Sequence, residues 1–296
     1  MTDTDVPPGA GPTQTPSADA AAPNAPPRTR DPLEARGVND DAVAAFRREH
    51  PDRLAEVVVV IPAYNEGASV AGVVSSVPAR LAGMPVDVLV VDDGSADDTG
   101  ARAREAGALV ATLRANTGQG NAFKVAYRVA CAGGARYVAT ADADGQFDPK
   151  ELDAMVAMLA DDRADFVTGS RRLGVAHTDD SVRALGVVVF GTLISILTGV
   201  RVTDPANGLR AMRAEVAATV ELRQMQYQSS ELLIGAIANG FRVLEAPVTM
   251  RKRHVGASKK GGNLVYGWRF TKVVLSTWWR LRAVARRNLP ARQGLW

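Results

Sequence analysis

Four short runs rich in β-branched residues, VVVVIP (57–62), VDVLVV (86–91), ALVATL (108–113) and RYVATA (136–141), recur along the chain with a helix-length gap between each and the next. The gaps hold the segments 66–77, 97–106 and 118–132. Runs that are almost wholly apolar have no solvent face, so they predict strands of a parallel sheet covered by helices on both sides. Right-handed crossovers bring the strand-end loops to one edge, and a ligand then belongs outside the carboxyl ends of the strands. The expected fold is α/β, with a mostly parallel, Rossmann-like central sheet. Its chemistry is to be sought in PAYNE (62–66), DDGSADD (92–98) and DADGQ (142–146).

Each loop offers particular groups. PAYNE carries Pro62, Tyr64, Asn65 and Glu66. In DDGSADD, Gly94 suits a turn and Ser95 or Asp97 can cap the next helix, which leaves Asp92 and Asp93 at the strand end. Asp92 is expected to face the ligand edge, as an acceptor for base N–H groups or ribose hydroxyls. Asp142 and Asp144 stand one residue apart after the fourth run. Two such carboxylates are costly unless a cation or donors satisfy them, and hard oxygen ligands suit Mg²⁺ or Mn²⁺ bound partly through substrate phosphates. A pair of turn aspartates capping the helix near Pro149 is the plainer alternative. The motifs G-x-G-x-x-G and G-x-x-x-x-G-K-[ST] are absent after the first run, which removes the main support for dinucleotide and P-loop readings.

The chain divides unevenly. Residues 1–37 hold half of its sixteen prolines and almost no large aliphatic residue, and are expected to be disordered. The segment has neither the basic nor the apolar region of a secretory signal, and the single Cys131 offers no disulfide framework, so a cytoplasmic location is expected. Residues 38–265 form the expected catalytic domain. Residues 266–296 form a basic, aromatic tail: after Glu245 there are twelve Lys or Arg and no acidic residue, and all four tryptophans fall there. At 100° per residue, Arg269, Lys272, Arg280 and Arg287 form one stripe and Phe270, Val274, Trp278 and Leu281 another. A helix of that kind can lie on an anionic membrane surface, dock on the protein's own core, or bind RNA. The acidic strand-end loops argue against nucleic acid. Residues 184–200 are seventeen residues without a charge, short of the ~20 that span a bilayer, and suit an interfacial helix or a buried one.

Two further elements carry charge chemistry. In RHVGASK (253–259), Gly256 allows a bend while Arg253, Ser258 and Lys259 can converge on phosphate oxygens. Glu231, in SSELL, reads equally as a general base or as a helix N-terminal carboxylate beside Ser229 and Ser230.

IPAYNE, VVDDGSADDT, ANTGQGNA, DADGQFDP, VTGSR, DPANGLRAMR, SSELLIGAIANGFRVLEAPV and RHVGASK occur in the order and rough spacing of the family 2 glycosyltransferases. The chain resembles most the dolichyl or polyprenyl phosphate mannose synthase group. The resemblance, over about residues 57–265, implies a GT-A fold and inverting, metal-dependent transfer of a hexose from a nucleoside diphosphate sugar, GDP-mannose or UDP-hexose. It implies that Pro62, Tyr64, Glu66 and Asp92 line the nucleotide, that Asp142, Asp144 and Gln146 hold the metal, and that Arg171 and Arg210 face the acceptor. A polyprenyl phosphate acceptor is already anionic and needs arginines to orient it. A glycan or other hydroxyl acceptor needs a base, for which Glu231 is the candidate. Attachment to the cytoplasmic face of a membrane is expected with the lipid acceptor. A sugar-nucleotide or nucleic-acid binding protein without turnover is the non-enzymatic alternative.

Overall fold

The computed structural model describes residues 40–177, 181–224, 226–251 and 263–288. The expected disordered tail and the residues Arg253, Ser258 and Lys259 lie outside them. The sheet is built on β1 (Val57–Ala63), in which every residue is buried. Its backbone pairs in parallel with β3 (Met84–Asp92) on one side and β5 (Tyr137–Thr140) on the other. β4 (Leu109–Thr112) extends the sheet in parallel beyond β3, and the two-residue β2 (Arg80–Leu81) forms a hairpin with the start of β3.

Beyond β5 the pattern changes. β7 (Arg210–Arg213) runs antiparallel between β5 and β6 (Phe166–Ala176), and β8 (Val243–Met250) lies parallel to β6 at the far edge. The expected mostly parallel sheet is present, with β7 as its reversed strand.

Alternation along β1 splits the core in two. Val57, Val59 and Ile61 join one apolar layer with α2 (Val70–Ser76) and α5 (Leu152–Ala160), while Val58 and Val60 join another with α4 (Gln119–Ala132). Each fully buried aliphatic side chain contributes about 1.5–3 kcal/mol. Both faces are therefore occupied by helices, as apolar strands require.

Two helices at the second layer decide where the tail residues go. α8 (Gln228–Ala238) is buried at every position except the half-buried Ser229, and α9 (Asn263–Asn288) packs on it and on α6 (Ser181–Thr198). The expected boundary at 265/266 thus falls inside one continuous helix. The stripe of Phe270, Val274, Trp278 and Leu281, read from sequence as a possible membrane anchor, is the face that docks on the core. Arg280, placed by periodicity on the basic stripe, turns inward and pairs with Glu231. The face left outside carries Trp268, Leu275 and Trp279, with Arg282 stacked 3.2 Å from the centre of the Trp279 ring. α6 buries Gly191, Ile194 and Thr198 and exposes Leu185, Val189 and Ile196. Among the described residues no helix is long and apolar enough to cross a membrane.

Because Phe270 is 1% exposed and packs on Phe190 and Tyr227, α9 is part of the folded domain. Phe270→Ala should lower the unfolding free energy by about 3–5 kcal/mol, read from the shift of the urea midpoint. A midpoint that does not move would show α9 to be an independent appendage.

Candidate active site

The carboxyl ends of β1, β3, β5 and β6 and the start of β7 meet at one edge, over a cavity of about 480 Å³. Pro62, Tyr64 and Glu66 line it from the first loop, Asp93 from the second, and Asp142, Asp144 and Gln146 from the loop after β5. Arg171, Gly208 and Arg210 line it from the sheet's second half, with Gln226 to Ser229 before and within α8, and Arg269 and Phe270 of α9. Sequence reasoning thus brings most of its candidates to one place.

Of the two carboxylates of the second loop, both candidates for the nucleotide, only Asp93 lines the cavity. Asp92 is buried, its Oδ1 accepts the Ser95 N–H at 3.0 Å, and its Oδ2 rests so close to Gly100 that a Cβ there would lie 2.8 Å away. Asp92 therefore holds its own turn and does not line the cavity. Asp93 does, and its carboxylate accepts the Thr117 N–H and hydroxyl and the Gly118 N–H, each at 2.8 Å. That fixes the TGQG turn to the sheet edge and brings Gly118 and Gln119 into the wall. Gly118 has φ of 94°, a left-handed conformation that disfavours any side chain. Asn65 is a connector: its N–H donates to Ser95 Oγ at 2.9 Å and its Oδ1 accepts the Ala96 N–H at 2.8 Å.

The acidic pair is cradled by the reversed strand. Thr140 donates to the Gly208 carbonyl at 2.6 Å, and the Asp142 carboxylate lies against Gly208, where an added Cβ would stand 1.9 Å from Oδ2. Only glycine leaves room for that carboxylate. Asp144 Oδ1 accepts the Gln146 N–H at 3.0 Å. The rest of the loop is stapled to the end of β8. The Gln146 carbonyl accepts the Arg251 N–H at 2.8 Å, Asp148 pairs with Arg251 at 2.9 Å, and Glu151 accepts the Thr249 N–H at 3.0 Å. The backbone just before 252–262 is thereby tied to the acidic loop.

The cationic side has three arginines in different states. Arg171 grips Asp204 with two parallel bonds of 2.6 Å, and its own N–H adds a third to the same carboxylate. Asp204 is fully buried and also accepts from Asn207. Arg210 is 1% exposed and donates to the Asn207 carbonyl and to Ser229 Oγ, while its Nη1 has no partner among the described residues. Burial pushes its pKa down, against the pull of Tyr127, Asp142 and Asp204. Arg269 is exposed.

Glu231 does not fit the base role weighed for it. It is fully buried, accepts the backbone N–H groups of Arg223 and Gln224 at 2.9–3.0 Å, and pairs with Arg280 at 2.5 Å. It is not in the cavity wall. A carboxylate so occupied fixes the 221–224 loop and α9 to the start of α8, which is the structural alternative carried by SSELL.

The sequence reading missed Gly208 and Asp204 as individual residues, Tyr227 and Gln228, and the presence of Arg269 and Phe270 in the wall. Only the turn-rich DPANG (204–208) between apolar runs signalled the first two. Tyr227 takes a left-handed backbone (φ 60°) immediately before α8, a strained position of the sort that functional sites retain.

A sheet of this order, flanked by helices on both sides, is that of the GT-A fold. Solved structures agree on the fold. Glucosyl-3-phosphoglycerate synthase from Mycobacterium tuberculosis, solved with Mn²⁺, UDP and glucosyl-3-phosphoglycerate or with Mg²⁺ and UDP, superposes with TM-scores of 0.59 and 0.60 at 21% identity. Each superposition covers 82% of this chain, and 85% and 84% of the other. The family model for glycosyl transferase family 2 matches residues 58–220, and the chain belongs to that family. It is 32% identical to polyprenol monophosphomannose synthase of Mycolicibacterium smegmatis over 70% of this chain and 81% of the relative. It is 30% identical to undecaprenyl-phosphate mannosyltransferase of Micrococcus luteus over 81% of this chain and 99% of the relative.

The Arg171–Asp204 pair gives the site a pH signature. Burial raises the Asp204 pKa, but the bonds and charge of Arg171 more than reverse this and leave it below the usual carboxylate range. A depressed folded-state pKa supplies stability that is present above the unfolded value of about 4 and lost as pH falls through the lower folded value. Asp204→Asn should therefore lower stability at neutral pH and flatten the loss below about pH 4, in chemical unfolding at stepped pH. An unchanged acid profile would exclude Asp204 as the linked group.

Proposed function

We propose that this protein transfers a hexose, with inversion, from a nucleoside diphosphate sugar to a polyprenyl phosphate of the dolichyl type. The observation that carries the reading is a single cavity with the Asp142 and Asp144 carboxylates in one part of its wall and Arg171, Arg210 and Arg269 in another. Pro62, Tyr64, Glu66 and Asp93 are the groups available to the nucleoside. GDP-mannose and UDP-hexose are the donors to be tested.

The residues fit a divalent cation. Among the described residues no three His, Cys, Asp or Glu side chains form a metal cage, so a cation here would rest on Asp142 and Asp144, with Gln146 in reach, and on substrate oxygens. Mg²⁺ binds in this way, with few protein ligands and several from phosphate and water. Once bound, Mg²⁺ or Mn²⁺ neutralises the diphosphate that departs. Gly208 keeps Asp142 in place for that role, and the bonds from Gln146 and Asp148 to Arg251 hold the loop. Arg253, Ser258 and Lys259 follow Arg251 closely in sequence, and we assign them to the same diphosphate.

The phosphate acceptor is favoured over a hydroxyl acceptor by Glu231. A hydroxyl must lose its proton to a base, whereas a phosphate is anionic at neutral pH. With Glu231 spent on Arg223, Gln224 and Arg280, the base proposed for a glycan acceptor is committed elsewhere. Exposed Leu185, Val189 and Ile196 on α6 and Trp268, Leu275 and Trp279 on α9, beside Lys272, Arg282 and Arg286, support peripheral binding to the cytoplasmic face of a membrane.

Purified protein is to be offered labelled nucleotide sugars and polyprenyl phosphate with Mg²⁺ or Mn²⁺, and the organic phase counted. Label from one donor, abolished by chelator, is the expected result. Asp144→Asn should reduce transfer by about a hundredfold or more, with thermal unfolding unchanged. Full activity in that variant, or in chelator, would overturn the assignment of the acidic pair.

A further inference from the structure

We infer that Arg269, which lines the cavity from the helix α9 that also exposes Trp268, Leu275 and Trp279, receives the phosphate of the acceptor. The inference rests on the transfer reaction proposed above and assigns its acceptor side to a residue that no motif contains.

Among the described residues three arginines line the cavity, and two of them already hold protein partners. Arg171 spends its fork on Asp204. Arg210 lines the cavity at 1% exposure and holds the Asn207 carbonyl and Ser229. Arg269 is exposed, lines the same cavity, and pairs with no carboxylate among the described residues. A guanidinium presents planar donors that match two phosphate oxygens at once, so among the described residues Arg269 is the group in the wall best placed to meet an incoming anion.

The neighbours of Arg269 state the direction of approach. Successive helical positions differ by 100°, and residues 268 to 270 divide accordingly. Trp268 is 71% exposed, Arg269 meets the cavity, and Phe270 is buried against Phe190 and Tyr227. Phe270 thereby holds the Arg269 backbone against the strained Tyr227, which lines the cavity too. Farther along, Leu275 and Trp279 continue the outer face. An acceptor whose phosphate reaches Arg269 would leave a long apolar chain beside that face. A soluble phosphomonoester would use the same guanidinium without the apolar surface.

The experiment compares wild type with Arg269→Gln and Arg269→Lys, using polyprenyl phosphate in micelles and 3-phosphoglycerate in parallel. Arg269→Gln is expected to raise the acceptor KM by about ten- to a hundredfold, with the donor KM within about twofold of wild type. Arg269→Lys should fall between, since it keeps the charge and loses the fork. If only 3-phosphoglycerate is used, the lipid reading fails and Arg269 is judged on that substrate. An unchanged acceptor KM, or equal increases for donor and acceptor, overturns the inference. If neither compound turns over, binding of each is titrated by tryptophan fluorescence. Equal affinity in wild type and Arg269→Gln, or no binding by either, also overturns it.

Discussion

The antiparallel pairing of β5 with β7 is the constraint on which the site depends. In a sheet of parallel strands alone, the loop before a strand lies at the edge opposite the ligand. Reversing β7 brings its leading loop, DPANG, to the edge where β1, β3 and β5 end. The register sets Thr140 against Arg210, so continuing it by two residues sets Asp142 against Gly208. The contact between the Asp142 carboxylate and Gly208, and the placement of Asp204, Asn207 and Arg210 around it, all follow from that one pairing. A shift of one residue would turn alternate side chains to the other face and dismantle the site.

The first half of this arrangement was legible in the sequence because it rests on short-range signals. Runs of valine with no polar face announce buried strands, and the turn residues after them announce the loops. The second half was not. RAMR (210–213) has two charged ends and no β-branched residue, so nothing local marks it as a strand; its pairing with β5 and β6 is a long-range property. Nor does sequence decide which of two adjacent strand-end aspartates faces a ligand. Asp92 and Asp93 differ by the path of a turn around Gly94, whose left-handed backbone (φ 70°) close to Ala115 is visible only in three dimensions. The tail failed differently. Periodicity grouped Phe270, Val274, Trp278 and Leu281 on one face, but it set Arg280 on the basic stripe and could not say which face docks, because that decision belongs to the surface of α8.

Buried charge does the positioning at both ends of the cavity. Asp204 and Glu231 are each fully inside, and each is met by an arginine from a distant segment together with backbone donors. A buried pair of this kind adds little net stability over a well-packed apolar pair, yet losing one partner leaves a charge stranded. What such pairs do well is to fix a geometry. Asp204 orients Arg171 and the turn before β7. Glu231 joins the 221–224 loop and α9 to the start of α8, where Gln228 and Ser229 enter the cavity wall.

The division among the three cavity arginines follows from the same energetics. A guanidinium already bonded to a buried carboxylate can offer an anion little more than its remaining edge, since breaking the pair would strand Asp204. One buried at the level of Arg210 shapes the potential of the cavity from within the wall, held in place by Asn207 and Ser229. Only a cation that is hydrated before binding can exchange water for phosphate without first losing a protein partner. α9, for which sequence left a membrane surface, the protein's own core and RNA all open, contributes that cation through Arg269 and packs on the core through Phe270. The exposed Trp268, Leu275 and Trp279 and the wall residues Arg269 and Phe270 therefore belong to one helix, and Arg269 stands between its outer face and the cavity.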